Sequence, residues 1–332
     1  RNINISASNG VRREDNAEGY NIKSTSGGAI DVPAMISDIE ITANTYLTVA
    51  DNAVISQVGD PLDVDDLQFN IGITTNFYVR DELNLDAGGA VAAPIGESDI
   101  NIKANNAIVS IQNADILSVG LVNIYTGGDA DIYNFVDATS YGLAGAAVAN
   151  AYATYNAVNK IEILNGANVE SENDIALKAG HTKTGLQSVK VHTESRTYNK
   201  TAIPIPITPD ADALAVTTSL VDIKEGSNVR AVRDVYLFAE GGNRDILGYG
   251  RGKDLYREAA AAIGSFFSNA VGGDDVSLDI ESGTSVDRSN NDGILVNGTV
   301  RAGAKNKQVF FIDQFGVLNN DLHPSGEYTN EM

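Results

Sequence analysis

Cysteine and tryptophan are absent from this 332-residue sequence, and methionine occurs only twice. Without cysteine the chain has no disulfide scaffold, no zinc ribbon and no thiol nucleophile. A chain without thiols is also well suited to an oxidising environment outside a cell. Only 7 prolines are present, which excludes a proline-rich stalk. Hydrophobic residues make up 43% of the chain, which is ample material for a continuous core.

Positive charge is also scarce, because 23 basic residues stand against 44 acidic ones and the formal net charge is −21. Such a surface repels phosphate backbones, so we expect no nucleic-acid partner. The apolar runs are shorter than a membrane span, so we expect no transmembrane segment.

The three histidines, His181, His192 and His323, have neither metal-ligand spacing nor a neighbouring nucleophile motif. We interpret them as exposed or corner residues. The run GYGRGK at 248–253 lacks the Ser or Thr that follows the lysine of a phosphate loop, so we interpret it as a flexible entry to a helix. The sequence therefore predicts no catalytic site.

An internal repeat of long period organises the chain. The segment IEILNGANV at 161–169 recurs as VDIKEGSNV at 221–229, and looser copies lie near 38–55, 99–111 and 276–296. Each copy combines short strands of alternating apolar and polar residues with a Gly, Asn or Asp corner. If this offset of about 60 residues spans three coils of about 20, the chain makes roughly 16 coils and a rod of about 75 Å.

The predicted fold class is all-β, a right-handed parallel β-helix, although an antiparallel sandwich also gives short alternating strands. Recurrence of the same corner chemistry at the same place favours the solenoid. Asn165, Asn168 and Asn228 are interpreted as structural ladders between coils.

Three segments depart from the repeat. Residues 141–157 are rich in Gly, Ala and Tyr and predict two long strands or a short helix. Prolines at 204, 206 and 209 predict a loop over 199–213 that projects from the stack. Helical spacing of apolar residues predicts one inserted amphipathic helix over 253–271. We accordingly divide the chain into coils at 1–137, coils with these excursions at 138–273, and further coils at 274–332.

Several motifs between residues 138 and 313 carry a family resemblance, namely RTYNKTAIPIP at 196–206, DVYLFA at 234–239 and YGRGKDLYREA at 249–259. They resemble segments of giant bacterial exoproteins related to the leukotoxin-type filamentous adhesins of the filamentous-haemagglutinin class. The resemblance implies a β-helical rod, secretion to the cell surface, and a role in adhesion or surface filaments. It implies no catalytic residues.

Acidic side chains on turns are the candidate ligands for Ca²⁺, which prefers hard oxygen donors. No group matches a known calcium loop, and aspartates at corners also cap backbone amides. The candidate residues are Asp60, Asp63, Asp65, Asp129, Asp131, Asp274 and Asp275.

We therefore expect a non-enzymatic, secreted structural or adhesive segment. Its expected partners are neighbouring coils, copies of the same chain and cell-surface glycans, and it is expected to continue beyond the residues given. The alternative is a carbohydrate-active β-helix with an acidic groove. Such enzymes collect Lys, Arg and aromatic residues on one face, whereas the basic residues are scattered along this sequence and tyrosines cluster at 141–155.

Overall fold

The computed structural model describes residues 1–14, 20–59, 66–205, 207–254, 280–282, 284–289, 293–302, 309–312, 318–319 and 327–330. These residues form strands and contain no helix. The strands are β1 Ile3–Arg13, β2 Ile22–Asp31, β3 Ala34–Val49, β4 Val54–Gln57, β5 Gln68–Ala92, β6 Ile95–Ile111, β7 Asp115–Ser118, β8 Leu121–Gly145, β9 Val148–Ile163, β10 Asn168–Ser171, β11 Ile175–Ala179, β12 Ser188–Pro204, β13 Asp210–Ile223, β14 Asn228–Ala231, β15 Val235–Ala239, β16 Asn243–Asp254, β17 Ile280–Ser282, β18 Thr284–Ser289, β19 Gly293–Val296, β20 Thr299–Ala302, β21 Val309–Ile312, β22 Leu318–Asn319 and β23 Glu327–Asn330.

Within the described ranges the strands form three sheets. Sheet A contains β1, β2, β5, β8, β11, β12, β15, β16, β17, β21 and β22; sheet B contains β3, β6, β9, β13, β18 and β19; sheet C contains β4, β7, β10, β14, β20 and β23. The chain runs from sheet A to sheet B to sheet C and then returns to sheet A beside its earlier passage. We call one such passage a coil. Neighbouring coils pair in parallel, and the described antiparallel pairs are β16 with β17 and β21 with β22.

The length of one coil follows from the side-chain hydrogen bonds between equivalent positions of neighbouring coils. Asn123 bonds to Asn70 at a sequence separation of 53, Asn228 to Asn168 at 60, and Ser118 to Gln57 at 61. The expectation of three short coils within each repeat was therefore wrong, because the whole repeat is one coil. The described coils begin at β1, β5, β8, β11 and β15, and β21, which pairs in parallel with β15, begins a sixth.

The strands are longer than expected because Gly and Asn residues that were interpreted as corners lie inside them. Strands β5 and β8 each run for 25 residues, and Gly127 and Gly128 lie within β8. A Cβ atom on Gly128 would lie 2.0 Å from the Thr75 carbonyl oxygen of the previous coil, so glycine permits this close backbone approach.

These lengths change the expected proportions of the stack. Six coils at about 4.8 Å rise only about 25–30 Å along the stack, whereas a strand of 25 residues extends up to about 80 Å. The described chain is therefore broad across its strands and short along the stack, and the predicted long rod of many coils is wrong.

Alternation of side chains, which the sequence predicted, places the core between sheets A and B. In β9 every second residue from Ala149 to Ile163 is buried. Next to sheet C the inward positions stay aliphatic from coil to coil: Val109, Ile161 and Val221 are paired in register and fully buried. We call the outline of one coil, seen along the stack, the section. Its end next to sheet C supplies the continuous hydrophobic core.

At the far end of the section the inward side chains shrink along the stack. Leu83 pairs with Val136, Val136 with Ser195, and Ser195 with Gly250. Each later coil therefore buries less apolar area at this end, and backbone pairing contributes a larger share of its stability.

The corner between sheets B and C follows the predicted chemistry. Gly166 and Gly226 have φ of +80° and +78°, which favours glycine. Two residues later the Asn228 side chain donates a 2.6 Å hydrogen bond to the side chain of Asn168. The predicted structural ladder is confirmed for this asparagine pair.

The predicted projecting loop over 199–213 is wrong, because Asn199 to Pro204 belong to β12 and β13 begins at Asp210. Proline is tolerated because Pro204 ends the strand, and the next N–H, of Ile205, donates to the Gly145 carbonyl at 2.8 Å. Of the connection at 205–209, residue 206 lies outside the described residues. Residues 141–157 form the two-strand alternative, as the end of β8 and the start of β9.

The predicted helix over 253–271 does not begin where expected. Lys253 and Asp254 are the last residues of β16 and pair with Tyr198 and Asn199 of β12. Continuous pairing with β12 extends the strand through the glycine-rich run, so its interpretation as a flexible entry is also wrong. Residues 255–271 lie outside the described residues.

Truncation of the core near sheet C should cost much more than truncation at the surface. Leu177 is fully buried, so we expect Leu177→Ala to lower the free energy of unfolding by about 2–5 kcal/mol. The matched control is Leu143→Ala, because Leu143 is 60% exposed and its loss should change stability by less than about 0.5 kcal/mol. Urea denaturation of the two variants measures the difference, and equal losses would contradict this core.

Candidate binding surface on sheet A

Alternate residues of β5, β8, β12 and β16 point out of sheet A, and the parallel register aligns them across coils. Arg80, Tyr133 and His192 form one such row. Asp137, Arg196 and Arg251 form another, two rows further along the strands. The sheet therefore gathers side chains that lie a whole coil apart in the sequence.

Aromatic rings and cations alternate on this face. The Arg80 guanidinium lies 4.9 Å from the centroid of the Tyr78 ring and 5.2 Å from that of Tyr133. The Arg196 guanidinium lies 4.9 Å from the centroid of the Phe135 ring. These distances are within the range of cation–π contacts, so the cations and the rings fix each other's positions.

Carboxylates also contact these cations. Arg80 lies 3.6 Å from a carboxylate oxygen of Asp131, and Arg196 lies 2.6 Å from one of Glu194. The Tyr133 hydroxyl donates to Glu194 at 3.4 Å. Burial and the charge of Glu194 raise the pKa of Tyr133 to about 12, so this phenol stays protonated at neutral pH.

A cavity of about 390 Å³ lies further along the same face, and we call it the Arg196 cavity. Its lining comes from three neighbouring strands of sheet A: Asp137, Thr139, Arg196, Thr197, Tyr198, Lys200 and Arg251. The Lys200 ammonium lies 4.4 Å from the centroid of the Tyr198 ring and 5.2 Å from that of Tyr141. The cavity thus combines three cations, one carboxyl and an aromatic wall.

Burial is the main cause that raises the pKa of Asp137 above the usual range of an aspartate. The charges of Arg196 and Lys200 act in the opposite direction, and those of Asp86 and Glu194 add to the increase. Chemically, the cavity can bind an anion through its cations and can accept hydrogen bonds through Asp137.

The basic residues are scattered along the sequence, but the fold brings Arg80, Arg196, Lys200 and Arg251 onto one face of sheet A. The expectation that no face collects basic residues was therefore wrong. The pairing of Arg196 with Asp137 and of Lys200 with Tyr141 was not predicted. The sequence did contain a signal for this pairing. Moving back by the repeat offset of about 60 residues from Arg196 and from Lys200 leads to within one residue of Asp137 and of Tyr141.

The two calcium candidates that the structure describes contact other groups of sheet A. Asp129 accepts a hydrogen bond from the Ser188 N–H at 2.9 Å, and Asp131 lies beside Arg80. No group of three or more His, Cys, Asp or Glu residues that could hold a metal is found among the described residues. Asp60, Asp63, Asp65, Asp274 and Asp275 lie outside them.

The two described histidines lie next to carboxylates. His181 contacts Glu240 at the corner before β12, and the His192 side chain on the outer face of sheet A lies 3.0 Å from Asp245. Both are partly exposed, which agrees with the interpretation as exposed or corner residues. His323 lies outside the described residues.

The described residues contain no helix that is long and apolar enough to cross a membrane. Comparisons with protein families, with curated proteins and with solved structures give no match for this chain.

The raised pKa of Asp137 predicts a pH dependence. Because the folded state binds the proton more tightly than the unfolded state, stability falls as pH rises from the unfolded pKa through the folded pKa. We expect Asp137→Asn to remove this loss, so the variant should gain melting temperature over the wild type at neutral pH but not in acid.

The control for this titration is Asp245→Asn, because the Asp245 side chain is 65% exposed on the same face. Thermal melts of the three proteins from acid to neutral pH measure the effect. An Asp137→Asn variant whose melting temperature follows that of the wild type at every pH would contradict a raised pKa for the Asp137 carboxyl.

Proposed function

We propose that this chain is part of a right-handed parallel β-helix in a large secreted bacterial surface protein, of the filamentous-adhesin kind that its motifs resemble. In this proposal its role is structural and adhesive and it is not an enzyme. The stack presents the outer faces of its sheets and extends by adding coils, supplied by the same polypeptide or by another copy. The observation that carries the proposal is the open edge of the first coil.

Apolar residues are exposed on this first coil to an unusual degree. Ile30, Ile36 and Val54 are 76%, 69% and 65% exposed. Ile30 and Ile36 lie at the end farthest from sheet C and Val54 lies in sheet C, so exposed apolar side chains occur at both ends of this coil, and such side chains are common at contact surfaces.

The inward residues of the first coil are also incompletely covered. Ile3 and Ile5 are only partly buried, whereas Phe69 and Ile71, their partners in the second coil, are fully buried. A further coil stacked on β1 would cover them, and its burial would contribute about 25 cal/mol per Å² of apolar surface.

The backbone of the first coil is open as well. The carbonyl of Pro33, just before β3, and that of Val49 at its end accept hydrogen bonds from the second coil, both at 2.9 Å. In a parallel ladder alternate residues face opposite neighbours, so Thr48 directs its N–H away from the second coil. In the described part of the chain β3 pairs with β6 alone, so this edge can accept another strand.

Stacking on this edge should be blocked by proline without loss of the fold. We expect Thr48→Pro to abolish end-to-end association, because proline removes an N–H that faces the open edge. Its melting temperature should stay close to that of the wild type. Sedimentation velocity and electron microscopy of the wild type and the variant measure association.

The matched control is Ser110→Pro, because Ser110 is the partner of Thr48 in the second coil and is paired on both sides. It should lower the free energy of unfolding by about 1–3 kcal/mol through a lost ladder bond. A wild type that stays monomeric at all concentrations and never forms rods would overturn assembly between copies. Association that Thr48→Pro leaves unchanged would exclude this edge.

The Arg196 cavity supports a second candidate, a carbohydrate-active β-helix. A partly buried carboxyl, Asp137, lies there among cations, an environment that can tune an acid or a base. Incubation with polygalacturonate, followed by measurement of new reducing ends and unsaturated products, tests this candidate. Under the adhesive proposal no product accumulates, and turnover that Asp137→Asn abolishes would replace it with the enzyme.

A further inference from the structure

We propose that the Arg196 cavity binds an acidic sugar unit of an anionic polysaccharide, carboxylated or sulfated, with Arg196, Arg251 and Lys200 on the anionic group and Tyr198 against the sugar ring. This inference rests on the adhesive function proposed above and names the chemistry that the outer face of sheet A recognises.

The placement of the cations is the first argument. Arg196 and Arg251 are paired in register on adjacent strands, about 4.8 Å apart along the stack. Like charges at directly paired positions destabilise a sheet. Lys200 lines the same cavity, so three cations converge in a protein whose net charge is −21. An anion bound between the guanidinium groups would gain charge-assisted hydrogen bonds from both.

The aromatic wall is the second argument. Tyr198 lies between Arg196 and Lys200 on the outer side of β12, and Lys200 lies over its ring. A tyrosine fixed by a neighbouring cation loses little conformational entropy when a ligand packs against it. Its ring supplies apolar contact for the C–H face of a sugar, while its hydroxyl remains available to water or ligand.

The presence of both acidic and basic residues at the cavity favours a polysaccharide ligand over a nucleic acid. Asp137 and Thr139 offer acceptors for sugar hydroxyls inside the cavity. Glu194 and Asp86 act on the same carboxyl and so lie close by. These acids repel the continuous phosphates of a nucleic acid, whereas one acidic unit in a sugar chain can meet the cations alone.

The size of the cavity is consistent with such a unit. Its volume of about 390 Å³ lies within the range of about 300–1,000 Å³ that is typical of small-ligand sites. On one side of the cavity the outer face continues through β8 and β5, where neighbouring sugars can follow the row of Tyr133 and Arg80.

Binding of the intact chain to polygalacturonate, chondroitin sulfate, neutral dextran and single-stranded DNA tests the inference. We expect binding to one or both acidic polysaccharides, weakening as salt rises, and none to dextran or DNA. Binding to polygalacturonate alone identifies a carboxylate ligand. Clearly tighter binding to chondroitin sulfate than to polygalacturonate identifies a sulfate ligand. Binding to DNA with equal or higher affinity, or to neither polysaccharide, would overturn the inference.

Variants locate the site. The double variant Arg196→Gln with Arg251→Gln should weaken binding about 10- to 100-fold through loss of charge-assisted hydrogen bonds. Tyr198→Ala should weaken it less, by about three- to tenfold. The matched controls are Lys103→Gln and Tyr46→Ala on the outer face of sheet B, which should bind as the wild type does.

If the double variant does not fold, Lys200→Gln still tests the cavity. It removes the third cation and leaves the Arg196–Arg251 pair unchanged. Circular dichroism and melting temperature check each variant. Binding that all cavity variants retain would place the ligand elsewhere. If wild-type chains assemble through the first coil yet bind no polysaccharide, the structural role stands and this inference fails.

Discussion

Parallel pairing of each coil with the previous one, position on position, is the constraint on which the rest of this structure depends. It aligns Asn168 with Asn228 and Val169 with Val229, so one inward residue type can form a continuous ladder. The same alignment forces outward side chains into rows. Both the hydrophobic core near sheet C and the cation-rich face of sheet A are consequences of one backbone arrangement.

The two ends of the section use this constraint differently. Near sheet C the ladders remain aliphatic, with Ile111, Ile163 and Ile223 in register, and they hold sheets A, B and C around one core. Further from sheet C, in the middle of β5, polar side chains enter the interior. Asp81 is fully buried there, where it accepts a hydrogen bond from Ser98 at 2.6 Å and pairs with Arg13 at 2.7 Å. The largest hydrophobic cluster therefore lies next to sheet C, and two further clusters lie between sheets A and B away from it.

The proposed surface follows from that division. The row that carries Asp137 and Arg196 lies over the part of sheet A where inward side chains become smaller or polar in later coils, whereas the Arg80 row lies next to the aliphatic row of Val79 and Ile132. Because sheet A is held by backbone pairing on both sides of β8 and β12, the outward side chains stay in register across coils. Binding residues on paired strands are positioned more rigidly than residues on loops.

Local signals in the sequence were sufficient to predict the repeat period, the alternation of buried and exposed side chains, and the residues at the corners. The glycines at Gly166 and Gly226 and the asparagine ladder recur with that period, and together they predicted an all-β chain of parallel sheets. Other features emerged only from the fold: one repeat is one coil, Pro204 ends a long strand, and Arg196 meets Asp137 and Arg251. Coil length depends on which distant strands pair, and strand pairing is a non-local interaction that glycine and proline signals do not encode.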